Sequence, residues 1–326
     1  MREVLTMLEA LQRTIAEEMA ENPDVVYMGI DVREGALRIS KGLVDRFGPA
    51  RVVNTPIAES LIVGMGLGAA LMGLRPISEL MFEDFSMLAM DHLFNNMGTV
   101  HYQTNGQFNV PLTVLVMSGT GHGMGDGAGH GQCLSPLFMS APGISVCVPT
   151  TPADARGLLR TALRGADPVI FCVNTMLLTS ARGEVPDGDW ATPFGKARVV
   201  RPGADVTVLA VGGMVVHAEV AAAVLADEGI EVEIVDPRTL SALDRDVILE
   251  SVAKTGRLVV AEESRGVCGV GAEVLAIVAA EDPSLLKAPA RRLAAPMIPI
   301  PAAAQMEGWY LPSSDELAAR VRELIV

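Results

Sequence analysis

Apolar positions in the first 22 residues fall at Val4, Leu8, Leu11, Ile15 and Met19, the spacing of a helix with one buried face. Short β-branched runs follow at 25–28, 52–54, 76–80, 112–117, 145–148 and 169–173. Between several of them lie helical patterns over 58–74, 85–97 and 152–164. Segments of that length carry a chain across between parallel strands, so the pattern predicts an α/β unit. From 175 to 205 the periodicity lapses, and RGEVPDGDW and RPGAD supply Gly, Pro and Asp turn chemistry. A second alternation follows, with strands predicted near 206–211, 231–235 and 257–261 and helices near 215–228, 245–255, 272–281 and 315–325. The expected organisation is two α/β domains, 1–175 and 206–326, joined by a linker over 176–205.

Composition narrows the classes. The 326 residues exceed what one small core needs, and 50% hydrophobic content with a mean hydropathy of +0.36 suits sheets buried on both faces. Against 39 Asp+Glu stand only 25 Lys+Arg, a net charge of −14, which disfavours nucleic acid and anionic membrane as partners. The longest uncharged apolar stretch, 61–74, has 14 residues, short of the roughly 20 that cross a bilayer. The N-terminus lacks the basic region, apolar run and cleavage site of an export signal. Cys133, Cys147, Cys172 and Cys268 form no CxxC pair, so a reducing cytoplasm is the expected location.

The densest chemistry is NTPIAESLIVGMGLGAALMGLRPISELMFEDF, residues 54–85. Glu59 follows a predicted strand and Pro56 and opens an apolar helix. Two readings fit it: a carboxylate favoured by the helix dipole, or a buried carboxyl set for proton exchange with a ligand nitrogen. Gly64, Gly66 and Gly68 resemble a dinucleotide fingerprint only superficially, and close helix packing accounts for them better. The segment 118–132, SGTGHGMGDGAGHGQ, holds seven Gly with His122 and His130. Either it is a loose surface connector or it approaches a ligand or partner backbone closely. Gly125-Asp126-Gly127 looks like the start of the magnesium–diphosphate motif of thiamin enzymes, but the Asn pair that should follow is missing. His92, His101 and His217 show no ligand-like spacing. No GxSxG, HExxH or Walker sequence is present, and GVCGVG at 266–271 is too loose for a fingerprint.

At these residues the chain resembles the beta chain of the thiamin-diphosphate-dependent first component of 2-oxo acid dehydrogenase complexes, and especially of acetoin dehydrogenase. RVVNTPIAES, GLRPISELMFEDF, GHGQCLSPLFMSAPGISVCVPTTPADARGLLRTALRGADPVIF, EVPDGDW, VEIVDPRTLSALD and ESVAKTGRLVVAEES fall in family order over nearly the whole length. The resemblance implies a pyrimidine-binding, transketolase-like N-terminal domain and a transketolase C-terminal-type domain. It also implies that Glu59 bonds a ring nitrogen of the cofactor aminopyrimidine, that Phe85 stacks on that ring, and that Ile57, Ala58, Met81 and Phe82 wall it. His130, in HGQ, matches the His of the family's HSQ segment and would manage protons on substrate or lipoyl acceptor. Leu112, Ala162, Leu163, Gly165 and Asp167 match a potassium site of some members.

The family's diphosphate and Mg2+ site belongs to a separate alpha chain, so the implied unit is an alpha2-beta2 heterotetramer serving a lipoyl-bearing acyltransferase. The implied activity is cleavage of a 2-oxo acid or acyloin and transfer of the acyl or aldehyde unit to lipoyl. Two alternatives stand beside it: a transketolase-like carboligase subunit that passes a two-carbon unit to another carbonyl compound, and a non-catalytic structural partner. Several positions depart from the family. Ile30 stands where relatives have Glu, Thr99 and His101 lie where they commonly have Lys and Arg, Met117 replaces an Arg, and Gly131 replaces the Ser of HSQ.

Overall fold

The computed structural model describes residues 2–120 and 127–325, so His122, Gly125 and Asp126 lie outside the described residues. The described residues form two compact units, one from 2–118 with 138–194, the other from the described part of 119–137 with 195–325.

The chain opens with β1 (Arg2–Thr6) and α1 (Met7–Glu21). The helix begins at Met7, not at Val4, because Thr6 and Glu9 cap it reciprocally. The Thr6 hydroxyl accepts the Glu9 N–H at 3.2 Å, and the Glu9 carboxylate accepts the Thr6 N–H at 2.7 Å. Val4 therefore lies exposed on a strand, while Leu8, Leu11, Ile15 and Met19 are buried as their spacing predicts.

Six parallel strands follow: β2 (Val25–Gly29), β3 (Val52–Asn54), β4 (Arg75–Phe82), β5 (Thr113–Ser118), β6 (Ser145–Cys147) and β7 (Val169–Asn174). Their order across the sheet is β3-β2-β4-β5-β7-β6. The helices of this stretch are α2 (Leu43–Phe47), α3 (Glu59–Leu71), the short α4 (Val100–Gln103) and α5 (Ser135–Phe138), α6 (Pro152–Arg164) and α7 (Thr175–Ser180). Helices α1 and α6 bury Leu11, Ile15, Leu158 and Leu159 with Tyr27, Ile77, Leu115 and Phe171 of the sheet. Helix α3 takes the other face, where a Cβ on Gly66 would come within 2.4 Å of Ser78 Oγ and 2.9 Å of Leu112 Cδ1. The helix predicted over 85–97 is instead a 3-10 segment, Glu83–Ala89, followed by a π-helical one, Asp91–Met97. Both place side chains at nearly helical intervals, so hydrophobic spacing does not separate them from an α-helix.

The stretch expected to be irregular, 176–205, holds β8 (Arg182–Pro186), which pairs antiparallel with β1, and β9 (Arg198–Arg201). In the second unit β9 joins β10 (Val206–Ala210), β11 (Val232–Asp236), β12 (Leu258–Arg265) and β13 (Arg291–Ala295) in the order β13-β12-β10-β11-β9. Only β9 is antiparallel there. Helices α8 (Met214–Asp227), α9 (Arg245–Thr255), α10 (Val270–Glu281), α11 (Ala304–Tyr310) and α12 (Ser314–Ile325) complete it. Leu225, Leu317, Val321 and Leu324 seal the core against Val208, Ile234 and Val259. The glycine cluster at 266–271 serves α10: the Glu262 carboxylate accepts the N–H groups of Val270 at 2.8 Å and Gly271 at 2.9 Å, occupying the helix N-terminus. Among the described residues no helix is long and apolar enough to cross a membrane.

Candidate functional site

Parallel strands bring their C-terminal ends to one edge of the first sheet, and ligands settle there where the strand order reverses. That reversal falls at β2, which has β3 on one side and β4 on the other. Ile57, Ala58 and Glu59 follow the C-terminal end of β3, Ile30 follows that of β2, and Met81 and Phe82 end β4 just before Phe85. The topology thus gathers the residues expected to meet an aminopyrimidine around one switch point, with Ile30 between them.

Glu59 is the first residue of α3 and only 5% exposed. Ala58 supplies no side-chain cap, and no described residue donates a hydrogen bond to the Glu59 carboxyl. The helix dipole contributes about 0.3–1 kcal/mol to a carboxylate in that position. The arrangement fits a donor or a proton-sharing nitrogen supplied from outside this chain.

The aromatic wall is built locally. Phe82 and Phe85 pack edge to face, with ring centroids 5.9 Å apart and planes at 89°. Helix α3 packs on the 3-10 segment that carries Phe85 and on the π segment beyond it, where Gly64 lies against the His92 ring. Around this corner apolar side chains face outward: Ile57 is 80% exposed and Leu88 66%, with Leu61 and Met87 also exposed. Such a rim has the character of an interface.

Glu79 had not been singled out. It lies fully buried within β4, opposite Gly29 at the end of β2, and accepts the Tyr27 hydroxyl at 2.5 Å through Oε2 while Oε1 has no partner among the described residues. Burial pushes its carboxyl up to about 7, against the opposing pull of the Tyr27 bond. The available signal was an acidic residue inside the apolar run of a strand buried on both faces.

His130 lies in the second unit, exposed, with its backbone N–H directed to the Gly127 carbonyl at 3.5 Å. The residues matched to potassium collect at the opposite edge of the first sheet: Leu112 precedes β5, Asp167 precedes β7, and Ala162, Leu163 and Gly165 close α6. There the Arg75 guanidinium already donates to the carbonyls of Leu163 at 2.9 Å and Gly165 at 2.7 Å. His101 bonds the Phe108 carbonyl and His217 the Ser314 hydroxyl, both at 3.0 Å, so each has a local role.

Comparison with known proteins agrees with this architecture. Residues 3–180 match the transketolase pyrimidine binding domain, and residues 195–317 match the transketolase C-terminal domain. The chain is 42% identical to the beta subunit of acetoin:2,6-dichlorophenolindophenol oxidoreductase from Cupriavidus necator, over 98% of this chain and 97% of that protein. It is equally 42% identical to subunit beta-2 of the mitochondrial pyruvate dehydrogenase E1 component of Oryza sativa, over 96% of this chain and 84% of that protein. A solved structure described as a split gene transketolase, inactive beta4 tetramer, shares the fold with a TM-score of 0.81 at 24% identity, covering 98% of both chains. With a family domain matched over more than half its length and full-length relatives above 40% identity, the chain belongs to the transketolase-type family of dehydrogenase beta subunits.

Proposed function

We propose that this chain is the beta subunit of a thiamin-diphosphate-dependent enzyme that cleaves a 2-oxo acid or acyloin and delivers the acyl or aldehyde unit to a lipoyl acceptor. The observation that carries the reading is Glu59, 5% exposed at the start of α3 with no hydrogen-bond donor among the described residues, at the sheet edge where β4 ends in Met81 and Phe82 just before Phe85. Thiamin diphosphate, when bound, supplies the carbon nucleophile and electron sink for such chemistry. Glu59 would hold and share a proton with a ring nitrogen of its aminopyrimidine, Phe85 would stack on that ring, and Ile57, Ala58, Met81 and Phe82 would exclude water around it. His130 would handle the proton of the acceptor. The diphosphate and Mg2+ fall to an alpha partner, for which the exposed Ile57, Leu61, Met87 and Leu88 offer the covering surface, in a cytoplasmic alpha2-beta2 assembly that works with a lipoyl-bearing acyltransferase.

A second reading, transfer of a two-carbon unit to another carbonyl compound, is favoured by the missing positive charges at Thr99, His101 and Met117. Turnover of pyruvate and acetoin by the assembly, with lipoyl or an aldehyde as acceptor, separates the two. Glu59→Gln in that assembly should lower cofactor-dependent turnover at least a hundredfold while binding of thiamin diphosphate and Mg2+ is still seen by calorimetry. Unchanged turnover would remove Glu59 from the reaction.

A further inference from the structure

The described residues of the Gly-rich segment that belong to the second unit, 119–120 and 127–132, are held at several points within that unit. Gly119 N–H meets the Gln132 carbonyl at 3.2 Å, closing the two ends on each other. The Thr120 hydroxyl donates to the Glu307 carboxylate of α11, and both residues are buried. The Arg265 guanidinium, at the end of β12, donates to the Gln132 side-chain oxygen at 3.0 Å and also bonds the Tyr310 hydroxyl. Gly131 packs on Thr120 so closely that a Cβ would come within 2.9 Å of the Thr120 Cβ, and Gly127, at φ +63°, faces Ala302.

We propose that Glu307 and Arg265 are positioning residues that hold the His130 segment through Thr120 and Gln132. The proposal rests on the reading that His130 serves the acceptor step. A connector this rich in glycine has a large conformational entropy, and one exposed imidazole at its end acts at a defined place only if that freedom is removed by neighbours. A carboxylate accepting a hydroxyl and a guanidinium donating to an amide oxygen are charge-assisted bonds, about twice as strong as neutral ones. They grip the residues ten before and two after His130, from two elements that contain no other candidate site residue. The contact with Thr120 also fits a glycine at 131: a Cβ there would come within 3.1 Å of the Thr120 Oγ1, so that one of the two must shift. The second unit thereby contributes to the reaction.

The test uses the enzyme assembled with its alpha partner and compares two rates, transfer to a lipoyl domain and reduction of the dye 2,6-dichlorophenolindophenol, with hydrogen exchange of the 127–132 amides as a readout independent of activity. Thr120→Val and Glu307→Gln should lower the lipoyl-to-dye ratio at least tenfold and speed exchange over 127–132, and Thr120→Ser should restore both. A ratio and exchange unchanged in Thr120→Val would overturn the proposal, as would lipoyl and dye rates falling in proportion with exchange unaltered. His130→Ala separates the two layers. If it leaves the ratio intact while Thr120→Val still speeds exchange, the acceptor role of His130 fails and the fastening stands. If it lowers the ratio while Thr120→Val changes neither readout, the fastening fails and the role of His130 stands.

Discussion

The Tyr27 hydroxyl donates to the Glu79 carboxyl at 2.5 Å across the neighbouring strands β2 and β4, in the interior of the first unit. Burial pushes Glu79 from an ordinary 4.5 up to about 7. A folded-state value above the unfolded one means that the folded state prefers the proton. The associated stability is fully present below about pH 4.5 and is lost as pH rises through about 7. The shift corresponds to about 3 kcal/mol. Glu79→Gln keeps the acceptor for Tyr27 and removes the titration, so urea unfolding of the variant should depend less on pH between pH 5 and 8. An unchanged slope would exclude Glu79 as its source.

The glycines of α3 separate by what surrounds them. Gly66 meets Ser78 and Leu112, whereas a Cβ on Gly68 would meet nothing within 4 Å. Gly68→Ala should stabilise by about 0.5–1 kcal/mol through helix propensity. Gly66→Ala should destabilise by about 1–3 kcal/mol through overpacking. Thermal unfolding of the two variants checks the opposite signs.

Glu18 on α1 is buried and accepts a forked pair from Arg164 of α6, at 2.7 and 2.9 Å, with Arg160 also 3.2 Å away. Removing its charge takes the one buried carboxylate from between the two guanidiniums and leaves Arg160 to Glu17 and Arg164 to the exposed Glu21 and Asp189. Because those partners remain, Glu18→Gln should cost about 1–3 kcal/mol, the range for a hydrogen bond to a charged group lost in the interior. Glu323→Gln, which loosens the surface pairs to Arg291 and Arg320, should cost less than about 1 kcal/mol. Similar losses in chemical denaturation would show that burial of the α1–α6 pair is immaterial.

Arg75 occupies two of the carbonyls assigned to a potassium site. A potassium ion at Leu112, Ala162, Leu163, Gly165 and Asp167 would share those oxygens with a guanidinium. Binding there predicts a higher Tm in KCl than in NaCl of equal ionic strength, and a larger difference in Arg75→Met, which frees both oxygens. Equal Tm values in the two salts, for both proteins, would reject the site.

Hydrophobic period was enough to read α6, α9, α12 and the buried strands, because each repeats one pattern over several residues and buries the side that the pattern marks. The apolar spacing starts the N-terminal helix at Val4, three residues early, because REVLT continues the helical pattern. What makes 2–6 a strand is a partner about 180 residues away, 182–186, and no local pattern encodes such a pairing. The same distance hid β8 in a stretch rich in turn residues.

Position along 54–85 nominates Glu59 by itself, whereas Phe82 and Phe85 stand out only through the resemblance to the family, which the order of local motifs carries. Only the tertiary structure decided that Glu59 is largely buried with no donor among the described residues, that Glu79 is enclosed beside Tyr27, that Arg75 fills the carbonyls at the far edge of the sheet, and that Glu307 and Arg265 reach Thr120 and Gln132. Each of these depends on which distant segments exclude water from a given atom and which charges they bring to it. Desolvation and hydrogen-bond partnership are properties of the packed assembly of segments, whereas spacing and residue type are written in the chain itself.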